Sequence, residues 1–220
     1  MGEYYNWVNA DRREFLCPND FNLGNKRSES MHRGNALLKA LRDILSKEWK
    51  GNRILFLGDE KSVPADTDNP TLKLLYEQTK AFGSPGNVSD LVDETYKNMS
   101  GLFAAAEADV RQEISIFLDG GAEGRNEYGI DPKDPYAKLF LRAGKEFRYT
   151  INHNKRVYYA LGETRIRYQD GSASDTIDPL PLLMGYGRTT DTGSWVGDVI
   201  GVSDEIPEGY VFQKDIWLDW

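Results

Sequence analysis

Cysteine is nearly absent from this chain of 220 residues: Cys17 is the only one, so no internal disulfide can staple the fold. Histidine is almost as scarce, and His32 and His153 beside a single thiol cannot assemble the Cys/His set of a zinc site. No apolar run approaches the roughly 18 residues that suggest a membrane span. The opening Met1-Gly2-Glu3-Tyr4-Tyr5 lacks the charged and apolar regions of a signal peptide. Asn6 stands where N-myristoylation needs Ser or Thr, and the expected compartment is therefore the cytosol. Phosphate-loop signatures are missing too. Asp119-Gly120-Gly121-Ala122-Glu123-Gly124-Arg125 has the glycines but neither Gly-Lys-Ser/Thr nor G-x-G-x-x-G, and reads as a flexible loop. Positive charge is in deficit, 27 Lys and Arg against 35 Asp and Glu, for a net −8. What is present is core material: 40% apolar and 12% aromatic residues exclude wholesale disorder and fit one large domain or two small halves sharing a core.

The charge is unevenly placed. From Gly171 to Trp220 there are two cations, Arg188 and Lys214, against nine acids, so this segment carries −7 while residues 1 to 170 are nearly neutral. An acidic quarter of this kind makes direct nucleic-acid binding an unfavourable expectation.

A weak internal repeat organises the chain. Tyr4 to Phe15 aligns at an offset of 143 with Phe147 to Tyr158, keeping chemical type at Val8/Ile151, Asn9/Asn152, Asp11/Asn154, Arg12/Lys155 and Arg13/Arg156. A second block, Trp49-Lys50-Gly51-Asn52-Arg53-Ile54, matches Trp195-Val196-Gly197-Asp198-Val199-Ile200, and each leads to an acidic pair, Asp59-Glu60 or Asp204-Glu205. The first block reads as a β-hairpin turning at Asn9 to Arg12 or Asn152 to Lys155, since Asn and Asp tolerate the left-handed conformations of tight turns. In the first copy Leu37, Leu38, Leu41, Ile44, Leu45 and Trp49 then fall at helical spacing, with Asn35 as N-cap and Gly51 as stop. In the second, Asp178 to Gly185 allows only a short helix because Pro181 and Gly185 limit it. The second block gives a strand, Ile54 to Leu57 or Val199 to Val202.

Residues 61 to 142 have no counterpart and read as a mainly helical insert. Asn69-Pro70 opens a helix that Gly83 closes, and a second begins near Ser89 with Leu91, Val92, Tyr96, Met99, Leu102 and Phe103 apolar, continuing toward Ile114 or breaking near there. Ile116 to Leu118 is a strand or helix end, and Tyr136 to Ala143 a short helix. The expected fold class is α+β, with related strand-strand-helix-strand units at 1–60 and 143–220 flanking the insert at 61–142.

The segment Y-Y-x-x-V-N-x-D-R-R-E-F at the start, followed by W-x-G-N-x-I, resembles a family of uncharacterised bacterial proteins with a Y-Y-x-x-V-N-x-D-(K/R)-(K/R)-E-(Y/F) opening. The resemblance covers about residues 1 to 60, is echoed at 147 to 205, and implies a bacterial or phage source. It brings no activity and no catalytic residue.

Candidate chemistry is sparse, and no cofactor is expected. Asp59, Glu60, Asp204 and Glu205 are weak candidates for a divalent metal if the two strand ends converge, but acids after a strand more often solvate a turn. Arg12, Arg13, Lys155 and Arg156 could hold phosphate in equivalent positions, although cations on a hairpin are commonplace. His32 and His153 are possible general bases without a partner at catalytic spacing, and Cys17, before Pro18, reads as a packed small residue. The C-terminal segment differs because it joins charge to large aromatics. Asp198, Asp204, Glu205, Glu208, Tyr210, Phe212, Asp215, Trp217 and Trp220, with Trp195, compose an acidic, aromatic face suited to a protein interface. The expectation is a non-enzymatic protein that binds, and neutralises or inhibits, a basic protein. The alternative is an enzyme or ligand binder with a nucleotide, phosphate or metal site in a cleft between the two halves.

Overall fold

Two Asn-centred turns organise the β-structure. The computed structural model describes residues 2–106, 141–188 and 192–218. In the first turn β1 (Tyr5–Asn9) runs antiparallel to β2 (Glu14–Leu16), and the Asn9 Oδ1 accepts the Asp11 and Arg12 amides at 3.1 and 3.0 Å. In the second, β5 (Tyr149–Asn152) pairs with β6 (Val157–Ala160), and the Asn152 Oδ1 accepts the Lys155 amide at 2.9 Å. Each turn closes on an arginine in the left-handed region, Arg13 at φ 55° and Arg156 at φ 54°.

The likeness extends to the strand that flanks each hairpin. β3 (Ile54–Gly58) lies antiparallel to β1 with Asn9 opposite Ile54, and β10 (Ile200–Ser203) lies antiparallel to β5 with Asn152 opposite Ile200. The Asn9 Nδ2 donates to Asn52 (3.2 Å) where the Asn152 Nδ2 donates to Asp198 (2.7 Å). Asp11 accepts the Arg53 amide (2.7 Å) where Asn154 accepts the Val199 amide (2.8 Å). Arg53 and Val199 then bridge each other in antiparallel fashion. Beyond these elements the two segments differ. The first continues through α1 (Ala36–Leu45), capped by the Asn35 Oδ1 on the Leu38 amide; the second has β7 (Arg165–Tyr168) and β8 (Ala173–Ser174), and α4 (Leu180–Leu183), a single turn.

Between them stand α2 (Pro70–Phe82) and α3 (Val88–Thr95), with Asn69 and Asn87 as N-caps and Gly83 at φ 98° ending α2. α3 stops earlier than its apolar spacing suggests. Tyr96 turns extended, and Lys97–Asn98 become β4, parallel to β2 with Lys97 opposite Glu14, because pairing on the open edge of the sheet satisfies backbone groups that a longer helix would leave against it. The expectations for residues 107–140 lie outside the described residues.

The whole is α+β. A five-stranded sheet has the order β4-β2-β1-β3-β9, where β9 (Gly185–Tyr186) comes from the second segment and runs parallel to β3. A four-stranded sheet, β10-β5-β6-β11, ends on β11 (Val211–Phe212), and β12 (Asp215–Leu218) completes a three-stranded sheet with β7 and β8. One core joins both segments: Trp7, Leu38, Leu41 and Trp49 pack with Tyr159, Ile166, Trp195, Ile200 and Leu218. Among the described residues no helix is long and apolar enough to cross a membrane.

Candidate functional site

After β10 the chain turns through Asp204 to Tyr210, then β11 adds to β6 and β12 to β7, both in parallel. Parallel addition at the end of two sheets leaves one flank of each strand at the surface, and alternation in β12 sends Ile216 and Leu218 inward and Trp217 outward, 61% exposed. Ile206 and Val211 are exposed to a similar degree, 64% and 67%. Phe212 packs on Tyr158 with centroids 5.4 Å apart. The Tyr210 hydroxyl lies 2.9 Å from the His153 Nδ1, and the Arg156 guanidinium covers its ring. Burial against Gly201 and the nearby Lys50 charge hold the His153 pKa below its usual value.

The acids of this segment divide into two groups. Asp198 accepts from Asn152 and faces the Lys155 Nζ at 3.4 Å. Asp204 accepts from the Lys145 Nζ (3.0 Å) and the Arg148 amide (3.2 Å), which together hold its carboxyl below the usual range. Asp215 accepts from the Arg167 Nε (2.7 Å) with the Arg165 Nε at 3.1 Å, and its pKa is lowered by both. These three therefore fasten the segment to cations from residues 145–167. Glu205 and Glu208 are exposed and form no ion pair among the described residues. Trp195 departs from the expected aromatic face: at 2% exposure it fills the core against Tyr159, because the turn before β10 enters the molecule rather than skirting it. Trp220 lies outside the described residues.

Three of the four weak metal candidates have partners of their own. Asp59 accepts the Tyr4 amide at 2.9 Å, Glu60 faces the Arg188 Nη1 at 3.3 Å and Asp204 is held by Lys145, while the Glu205 carboxylate stands exposed without an ion pair among the described residues. Among the described residues no three His, Cys, Asp or Glu gather as metal ligands. Of the basic pairs, Arg12 binds Glu14 (3.0 Å), whose carboxylate also accepts the Trp49 indole N–H (2.8 Å), while Lys155 and Arg156 are taken up by Asp198 and Tyr210. Cys17 lines a cavity of about 390 Å³ beside Asp20, Asp59 and Asp93, and burial with the Asp20 charge pushes its thiol up to about 11, far from nucleophilic at neutral pH.

One buried cluster joins residues that no repeat or spacing pairs. Arg42 of α1, 1% exposed, forms an ion pair with Asp178 just before α4; Asp178 also accepts the Tyr159 hydroxyl (2.9 Å) and the Leu180 amide (3.1 Å). Burial opposes the Arg42 charge, and Asp178 with Tyr159 outweighs it, so the guanidinium pKa rises. Arg42 occupies the same face as the apolar helix residues, and a charge there is the signal that could have found it. Arg42 also lines a cavity of about 310 Å³ with Arg33, Glu146, Phe147, Arg148 and Leu161. No family model, curated protein or solved structure matches this chain.

Proposed function

We propose that this protein is a non-enzymatic binder that captures a basic protein on its C-terminal edge, in the manner of an inhibitor or immunity protein. The observation that supports it is the distribution of exposed apolar side chains. Of the four large hydrophobic residues most exposed among the described residues, Tyr4, Ile206, Val211 and Trp217, three lie within twelve positions of each other on this edge. Exposed apolar groups with charge around them are the composition of a binding patch. Division of labour follows: Ile206, Val211 and Trp217 supply buried contact area, with Tyr210 and Phe212 behind them. Glu205 and Glu208 supply unspent negative charge for partner choice, and Asp198, Asp204 and Asp215 hold the edge in shape.

The test places a photo-crosslinking residue at 206, 211 or 217, and at Tyr4 as control, in cells of the natural host. The expected result is one basic protein captured from the three edge positions and not from position 4. With that partner purified, Trp217→Ala weakens binding by roughly 30-fold or more, as for a central aromatic contact. Glu205→Gln with Glu208→Gln weakens it further at low salt than at high salt. No edge-specific adduct, or wild-type affinity in both variants, overturns the reading.

A further inference from the structure

A cleft between the two segments collects arginines that the repeat pattern does not mark. The cavity of about 310 Å³ has Arg33 and Arg42 on its first-segment side and Glu146, Phe147, Arg148 and Leu161 on the other. A second cavity, about 410 Å³, shares Arg33 and Leu161 with it and runs on past Tyr159, Ile166 and Ile177. The two adjoin, and one is cationic where the other has an apolar wall.

The charges around the first cavity leave an excess of donors. Glu146 faces the Lys39 Nζ at 3.7 Å, Glu163 binds Arg148 at 2.9 Å, and Asp178 is held by Arg42. Arg33 forms no ion pair among the described residues; its Nη1 donates only to the Asp175 carbonyl, at 2.9 Å, and its Nη2 approaches Gly162. Among the described residues the buried Arg42 Nε has no acceptor, so this guanidinium keeps a donor that its ion pair with Asp178 does not use. Depth varies as well: Arg42 is 1% exposed and the Arg148 side chain 61%, so the guanidinium groups run from floor to rim.

We propose that this cleft binds an organic phosphate of mononucleotide size, its phosphate among Arg33, Arg42 and Arg148 and its ring against the apolar wall of the adjoining cavity. A doubly charged group with three terminal oxygens uses the donors of several guanidinium forks, which a single carboxylate cannot. The inference is independent of the C-terminal edge: it gives the cleft alternative named from the sequence particular residues, none of them in the basic pairs Arg12, Arg13, Lys155 and Arg156.

Calorimetric titration of the full chain with AMP and GMP, at fixed ionic strength, tests it. The expected result is saturable binding of a nucleotide, weaker binding of inorganic phosphate and none of adenosine. Arg33→Gln reduces nucleotide affinity at least 10-fold, and Arg148→Gln does likewise, while Arg13→Gln leaves it unchanged; circular dichroism confirms that all three are folded. Arg42 is left intact because its ion pair is part of the core. Absence of binding by any phosphate, equal binding of adenosine, binding of duplex RNA without binding of mononucleotides, or wild-type affinity in folded Arg33→Gln and Arg148→Gln each overturns the proposal.

Discussion

Arg42 and Asp178 exchange a charge-assisted bond inside the core, 136 positions apart in the chain, and Tyr159 completes the group. A buried pair is costly to break and not costly to replace, since removing one member leaves the other's charge without solvent or partner. Asp178→Ala is therefore expected to lower unfolding free energy by about 3–5 kcal/mol, and Tyr159→Phe by about 0.5–1.5 kcal/mol. Arg42→Met combined with Asp178→Leu should cost less than Asp178→Ala alone. Denaturant titration of the four proteins checks this; equal or additive losses in the double variant would show that the ion pair itself, rather than the avoidance of a lone buried charge, stabilises the fold.

At the scale of elements, the turns were legible because their cause is local. An Asn at the first turn position accepts amides two or three residues later, and that tendency is written into Asn9-x-Asp11 and Asn152-x-Asn154. The caps Asn35, Asn69 and Asn87 are of the same kind. What spacing could not reveal is competition from a distant strand: β4 interrupts the apolar pattern after Tyr96 because β2 offers it an edge, and β9, only two residues long, exists because β3 does. The hairpins carry the prediction here. Asn152→Ala removes the turn acceptor and leaves the partly buried Asp198 with Lys155 but without its amide donor, and should cost about 1–3 kcal/mol; Asn9→Ala, which removes the donor to Asn52, should cost a similar amount. Thermal unfolding measures both, and a loss confined to one hairpin would mean that the shared hydrogen bonds do not carry shared energetics.

Across the whole molecule, Trp7 and Trp49 from the first segment and Trp195 from the second lie in one core, β9 crosses from the second segment into the first sheet, and Arg53 bridges Val199. No element boundary separates the segments energetically, so thermal unfolding followed by tryptophan fluorescence and by far-ultraviolet circular dichroism should give coincident single transitions. Two separated midpoints would contradict that coupling. The sequence by itself determined the hairpins, the helices capped by Asn35 and Asn69, the α+β class and the concentration of negative charge after residue 170, all of which depend on neighbours within a turn or two or on composition. Only the tertiary structure decided what that charge meets. Cations from Lys145 to Arg167 fasten Asp198, Asp204 and Asp215, which leaves Glu205 and Glu208 without an ion pair among the described residues; Trp217 stays exposed with the Arg167 guanidinium over its ring, while Trp195 goes inward. Charge pairing and burial are properties of surfaces brought together over long stretches of chain, and no periodicity records which surfaces those will be.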